Sequence, residues 1–234
     1  MPAAIRFLCS TALKSSLDEL QLLFERTTGH RLDISYGPSA QLTKRLADNE
    51  ASDAVVLTGT GFDEMSRLGK VDGASRSAIV RSVTMVAVKM GTTRPDVSTV
   101  EKFKQAMLDA KSVVYSGPGA GVTGAHVAKV MEQLGIADAM KPRTVLGPGG
   151  PAGLIGNYLV RGDAEIGIQQ DSELMAVPGV DIVGPLPGEI GLVTDFVFGI
   201  HAGARDAGAA QALGQFLRSP DALATMKAKG LTPA

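Results

Sequence analysis

With a single cysteine, Cys9, the 234-residue chain can form no internal disulfide and no thiolate zinc cluster, and Cys9 reads as a small apolar residue of a strand. Tryptophan is absent, and a net charge of −1 leaves no strongly basic surface of the kind that nucleic acid or an anionic membrane needs. No apolar run approaches the roughly 18 residues of a membrane span. Neither nucleic-acid binding nor membrane insertion is therefore expected. The opening MPAAIRFLCSTALKSSLDEL lacks a basic region followed by a long apolar stretch and a small-residue cleavage site. The chain as it stands is expected in the cytoplasm, or in the periplasm if a leader was removed from it, and as a monomer.

What is present is an alternation of short apolar runs with amphipathic stretches, the pattern of strand-helix-strand units and a mainly parallel sheet. The first strand is expected at Ile5 to Cys9. The helix after it carries Leu13, Leu17, Leu20 and Phe24 on one face and ends at Gly29. Further strands are expected at Leu32 to Ser35, Ala54 to Leu57, 83–89, Ser112 to Tyr115, 143–146, 164–168 and 193–200. Helices are expected from about Ser39, at 99–109, 122–134, 151–161, 206–218 and 220–229. The two long strands near 83–89 and 193–200 would join two lobes, 1–82 plus 194–234 and 83–193. A ligand is then expected in the cleft between them, where strand carboxyl ends and helix amino ends converge.

The segment Gly119-Ala120-Gly121-Val122-Thr123-Gly124 matches the spacing of a dinucleotide-binding turn. That reading needs an acidic residue at the end of the next strand, and RTVLGPGG supplies none. A phosphate-binding loop ending in Gly-Lys-Ser/Thr is absent as well, and no cofactor is expected. What remains is a helix start rich in backbone donors, with Thr123, Gly124 and Ala125 facing an anion. Similar starts recur at Ser10-Thr11-Ala12, at Gly37-Pro38-Ser39, at Thr58-Gly59-Thr60 and at Gly147 to Pro151. Together they would make a shell of neutral donors around a small anion.

The stretches IRFLCSTALKSSLDELQLLFERTTGHRLDISYGPSAQLTKRL, SDAVVLTG, GAGVTGAHVAKVMEQLGIADAM and AEIGIQQDSEL resemble the periplasmic molybdate-binding proteins, type II solute-binding proteins of ABC importers. The resemblance covers essentially the whole chain. It implies an α/β, two-lobed periplasmic-binding-protein fold and, if the chain is exported, an ABC permease as partner. In that family a tetrahedral oxyanion is held by two loop serines, backbone N–H groups of later helix starts and a tyrosine. Here the second serine corresponds to Ser39 and the backbone donors to Thr123 to His126. The first serine falls on Ala12 and the tyrosine on Gln170, with Ser10 or Thr11 as substitutes for the former.

The altered set, with Gln169, Gln170, Thr58, Arg81 beside Ser82, and His126, suits an organic di- or tricarboxylate better than a bare oxide. Arg81 would clamp a carboxylate and Gln170 would read a neighbouring carbonyl or hydroxyl. The chain is also similar to bacterial aconitate isomerase on the same scaffold, which implies allylic proton transfer without a cofactor. His126 is then the candidate base, because a helix amino end favours neutral imidazole. Passive binding of a carboxylate, its isomerisation, and molybdate or tungstate binding thus stand as three expectations, in that order.

Overall fold

The computed structural model describes residues 4–234. It divides into two compact units, one made of the chain up to Ser82 together with Thr194–Ala234, the other of Val83–Val193. The first unit opens with β1 (Ile5–Ser10), a 3-10 turn at Thr11–Leu13 and α1 (Lys14–Thr28). Then follow β2 (Leu32–Gly37), α2 (Ser39–Ala47), β3 (Ala54–Thr58), α3 (Gly59–Arg67) and β4 (Ser77–Lys89), whose residues from Val83 onward belong to the second unit. The second unit continues with α4 (Val100–Asp109), β5 (Val113–Ser116), α5 (Val122–Gln133), α6 (Ala137–Met140) and β6 (Thr144–Gly147). A 3-10 turn at Pro151–Gly153 leads to α7 (Ile155–Arg161), β7 (Ile166–Gln170), α8 (Asp171–Met175), β8 (Val180–Pro185) and a 3-10 turn at Gly188–Ile190. Finally β9 (Val193–Ile200), α9 (Ala207–Leu217), α10 (Pro220–Ala228) and β10 (Thr232–Pro233) return the chain to the first unit.

In the first unit β1 lies parallel between β2 and β3, and β9 runs antiparallel to β3. Helices cover both faces of this sheet, so its strands are apolar on both sides. Phe7 and Cys9 of β1 join a core with Leu17, Leu20, Phe24, Phe198 and Leu213, while Leu8 between them joins Leu42, Leu57, Phe62 and Val197 on the other face. Helix α1 buries Leu17, Leu20 and Phe24 as its periodicity requires, and ends at Gly29, whose φ of 74° suits a residue without a Cβ.

The second unit repeats the plan. Strand β5 is parallel to β6 and β7, and both β7 and β8 pair antiparallel with β4. Val113 and Tyr115 pack with Phe103, Val127 and Ile168, and Val114 packs on the opposite face with Ile155 and Leu159.

Several elements differ from expectation. The helix expected over 151–161 is split: Leu154 is extended at φ −59°, ψ 121°, and α7 starts only at Ile155. The strand expected at 164–168 lies at Ile166–Gln170, because β4 goes on pairing past the apolar run with Gln169 and Gln170. Strand β8, hidden between glycines and prolines, forms against β4.

Candidate functional site

Parallel pairing aligns strand ends. In the first unit Ser10 is in register with Gly37, and Cys9 with Val56, so the residues after β1, β2 and β3 gather at one sheet edge. Ser10 stands at the N-cap position of the turn into α1 without a side-chain capping bond, and Ser10, Thr11 and Ala12 are all buried. The Oγ1 of Thr11 has no hydrogen-bond partner among the described residues. Ser39 Oγ accepts the Thr58 N–H at 3.1 Å, which orients its own O–H for donation elsewhere. Thr58 Oγ1 in turn accepts the Gly61 N–H at 3.2 Å, so Thr58 caps α3 and Gly59 is the first residue of that helix. Ser82 Oγ is buried without a partner among the described residues. Buried hydroxyls left this way cost roughly 1–3 kcal/mol each, a feature of sites where a ligand supplies the missing bond.

Arg81, the expected carboxylate clamp, is exposed and donates from Nε to Asp195 at 2.8 Å. Half of each side chain remains in solvent, and such a pair contributes about 0–1 kcal/mol, leaving the guanidinium easy to redirect.

In the second unit Ser116 is in register with Gly147, and Tyr115 with Ile168, which brings the loops after β5, β6 and β7 to one edge. The glycine-rich elbow fits here for a steric reason. A Cβ on Gly124 would lie 2.1 Å from the Ser116 carbonyl oxygen and 2.6 Å from that of Gly117. Only glycine lets α5 approach the end of β5 so closely. Thr123 is buried beside it. The Ala125 N–H, expected to face a ligand, donates to Gly121 O at 3.3 Å. That is the first bond of the helix, so the donors left unspent are those of Val122, Thr123 and Gly124. His126 Nε2 donates to Ile190 O at 2.8 Å, so that bond uses Nε2 and not Nδ1.

Pro151 is exposed and begins the 3-10 turn after β6. Gln169 is 1% exposed, and its Oε1 accepts the Ile155 N–H at 2.8 Å, capping α7. Gln170 is buried at the end of β7, opposite Thr84 of β4. The register gathers Ser10 to Ala12 with Ser39, Thr58 and Gly59 in one unit, and Thr123, Gly124, Gln169 and Gln170 in the other. Arg81 and Pro151 stay on exposed positions.

Sequence reasoning missed Glu173. It lies on α8, three residues past Gln170, and burial pushes its carboxyl up to about 7 against a hydrogen bond from Gln169 that works in the other direction. It still keeps part of its surface accessible and is not sealed in the core. Burial raises its neighbour Asp171 as well. The stretch QQDSEL held the signal, an acid just after a strand end, but nothing local announces its burial. Among the described residues no group of three or more histidines, cysteines and acids comes together to hold a metal ion, and no helix is long and apolar enough to cross a membrane.

Residues 5–232 match the family model described as bacterial extracellular solute-binding protein. An aconitate isomerase from Pseudomonas sp is 34% identical over 231 residues, covering 97% of this chain and 86% of that protein. A molybdate-binding protein from Azotobacter vinelandii is 23% identical over 238 residues, with 97% and 89% covered. The solved periplasmic molybdate-binding protein of Azotobacter vinelandii superposes with a TM-score of 0.79 at 17% identity, covering 97% of this chain and 98% of that one. The fold is thus the periplasmic-binding-protein fold that the resemblance implied. By the match across nearly its whole length, the chain belongs to the bacterial extracellular solute-binding protein family.

Proposed function

We propose that the chain binds a small organic di- or tricarboxylate and shifts a proton across it, as an aconitate isomerase would. The observation that carries this reading is the pair Ala12 and Gln170, a buried methyl and a buried amide where the molybdate-binding resemblance calls for a serine and a tyrosine. The set loses two hydroxyls suited to a tetrahedral oxide and gains an amide that both donates and accepts. The 34% identity with an aconitate isomerase supports the same direction. In the first unit Ser10, Thr11 and Ser39 would hold a carboxylate, with Arg81, released from Asp195, as its clamp. In the second the N–H groups opening α5 would do so, with Gln170 reading a neighbouring group. The sequence nominates His126 as base.

Passive binding of the same acids is the second reading, favoured by membership of a solute-binding family. An exported copy would then hand its ligand to an ABC permease.

A thermal-shift panel of molybdate, tungstate, sulfate, phosphate, citrate, malate and cis- and trans-aconitate tests the proposal, since a ligand that binds only the folded protein raises its melting temperature. Shifts with tricarboxylates are expected, and proton NMR of the aconitate samples should show one isomer turning into the other. A shift with molybdate alone would overturn the reading. Tricarboxylate shifts without turnover would leave the passive receptor.

A further inference from the structure

Glu173 belongs to a short polar chain that links two loops of the second unit. The Ile155 N–H, at the start of α7, donates to Gln169 Oε1 at 2.8 Å and fixes which way the buried amide points. The other end of that amide hydrogen-bonds to Glu173. Glu173 itself stands on α8, which follows β7 directly, at the edge where the loops after β5, β6 and β7 gather.

An acid kept for stability is normally matched by a cation, and Glu173 has none among the described residues. Helix α8 packs against β7, α7 and β8. Strand β7 carries no ionisable side chain. Helix α7 brings Tyr158 and Arg161, and Arg161 is engaged with Asp163 at 2.7 Å and over the Tyr158 ring. Strand β8 brings Asp181, which faces Arg94 at 3.7 Å. On α8 itself the other acid is Asp171, uncharged company only when protonated.

We propose, on the reading above that the chain isomerises a small organic acid, that Glu173 carries the migrating proton. As a carboxylate it takes the proton from the saturated carbon beside the double bond. The C–H electron pair becomes the new carbon–carbon double bond, and the pair of the old double bond moves to its far carbon. The newly formed carboxylic acid delivers a proton to that carbon, its own or one exchanged with solvent. Substrate and product are isomers and Glu173 ends as it began, so no co-reactant is needed. Burial supports this role by holding the group near 7, where both its forms are at hand close to neutral pH. Gln169 acts as a positioning residue, and His126, with Nε2 on Ile190, braces the turn before β9.

The test compares the unaltered protein with Glu173→Gln and Glu173→Asp, following cis- and trans-aconitate by proton NMR in deuterium oxide and melting each protein with and without ligand. Glu173→Gln is expected to lose about 10²–10⁴-fold of turnover. It should lose deuterium uptake into the acid to the same degree and keep the ligand-induced rise in melting temperature. Glu173→Asp, which retains a carboxyl, should recover part of the rate. Unchanged turnover in Glu173→Gln overturns the assignment, as does loss of turnover together with loss of the ligand-induced shift. If the unaltered protein itself binds aconitate but neither isomerises it nor exchanges its protons, the isomerase reading fails and the assignment falls with it.

Discussion

Asp53 in the first unit and Glu173 in the second are both acids held within the protein, and they end on opposite sides of the ordinary carboxylate range. Asp53 stands just ahead of β3, with its side chain 4% exposed. Burial alone would raise its carboxyl, but hydrogen bonds from Arg205 and Arg6 outweigh that and hold it well below the usual range. Arg6 supplies its backbone N–H at 2.9 Å and its guanidinium at 3.1 Å, and Arg205 supplies the same pair at 2.9 and 2.8 Å. Glu173 has one amide donor and no cation among the described residues, so burial wins. The difference teaches that depth does not decide what an inner acid does; the number and charge of its donors do. The first unit spends Asp53 on tying β1 and β3 to the segment before α9, and offers hydroxyls and N–H groups at the ends of β1, β2 and β3. The second leaves an acid able to change its charge near neutral pH.

The two acids therefore predict opposite pH dependences. Asp53→Asn should cost about 3 kcal/mol at pH 7, the low end for a broken buried pair because both arginines are partly in solvent. A lowered folded pKa gives stability that is present above the unfolded value of about 3.9 and is lost as pH falls, so the difference between the two proteins should close in acid. Melting temperature followed from pH 3 to pH 8 measures this, and a constant difference would break the comparison. Glu173→Gln should do the reverse. A raised folded pKa costs stability once the pH exceeds the unfolded value of about 4.3, and the loss is complete above about 7. The variant should be more stable than the unaltered protein at pH 8, by up to roughly 3 kcal/mol, and no more stable near pH 4.

Gly124→Ala perturbs the second unit without touching charge. Its Cβ would meet two backbone oxygens that cannot swing aside, so a loss of about 2 kcal/mol is expected, the same at every pH. Urea unfolding at pH 5 and pH 8 would show whether the loss is independent of pH. The smallest effect belongs to His126→Ala, which leaves the Ile190 carbonyl without its donor and should cost about 1 kcal/mol. Its aconitate turnover should fall far less than that of Glu173→Gln; a larger fall would return the proton to His126.

Much of the fold was legible. The spacing of Leu17, Leu20 and Phe24, and the positive φ taken by Gly29, follow from local rules, and α1 forms where they place it. Elements set by pairing were not legible in the same way. Gln169 and Gln170 look like the end of a strand and become part of it because β4 supplies partners. Strand β8 looks like turn sequence and is a strand because β4 has a second edge for it. At the candidate site, the elbow at Gly119 to Gly124 was visible as a pattern. Its reason, the contact of Gly124 with two carbonyl oxygens, needed the helix and strand side by side.

The sequence by itself determined the α/β class, the run of amphipathic helices and the hydroxyl- and glycine-bearing strand ends, because these depend on periodicity and on the conformations single residues allow. Only the tertiary structure decided which polar groups are spent and which are left. Whether Ser39 receives Thr58, whether Arg81 meets Asp195, and whether an acid finds two arginines or one amide all depend on neighbours distant in the chain. The protonation of a buried carboxyl is set by those neighbours and by the exclusion of water, neither of which a local stretch of sequence contains.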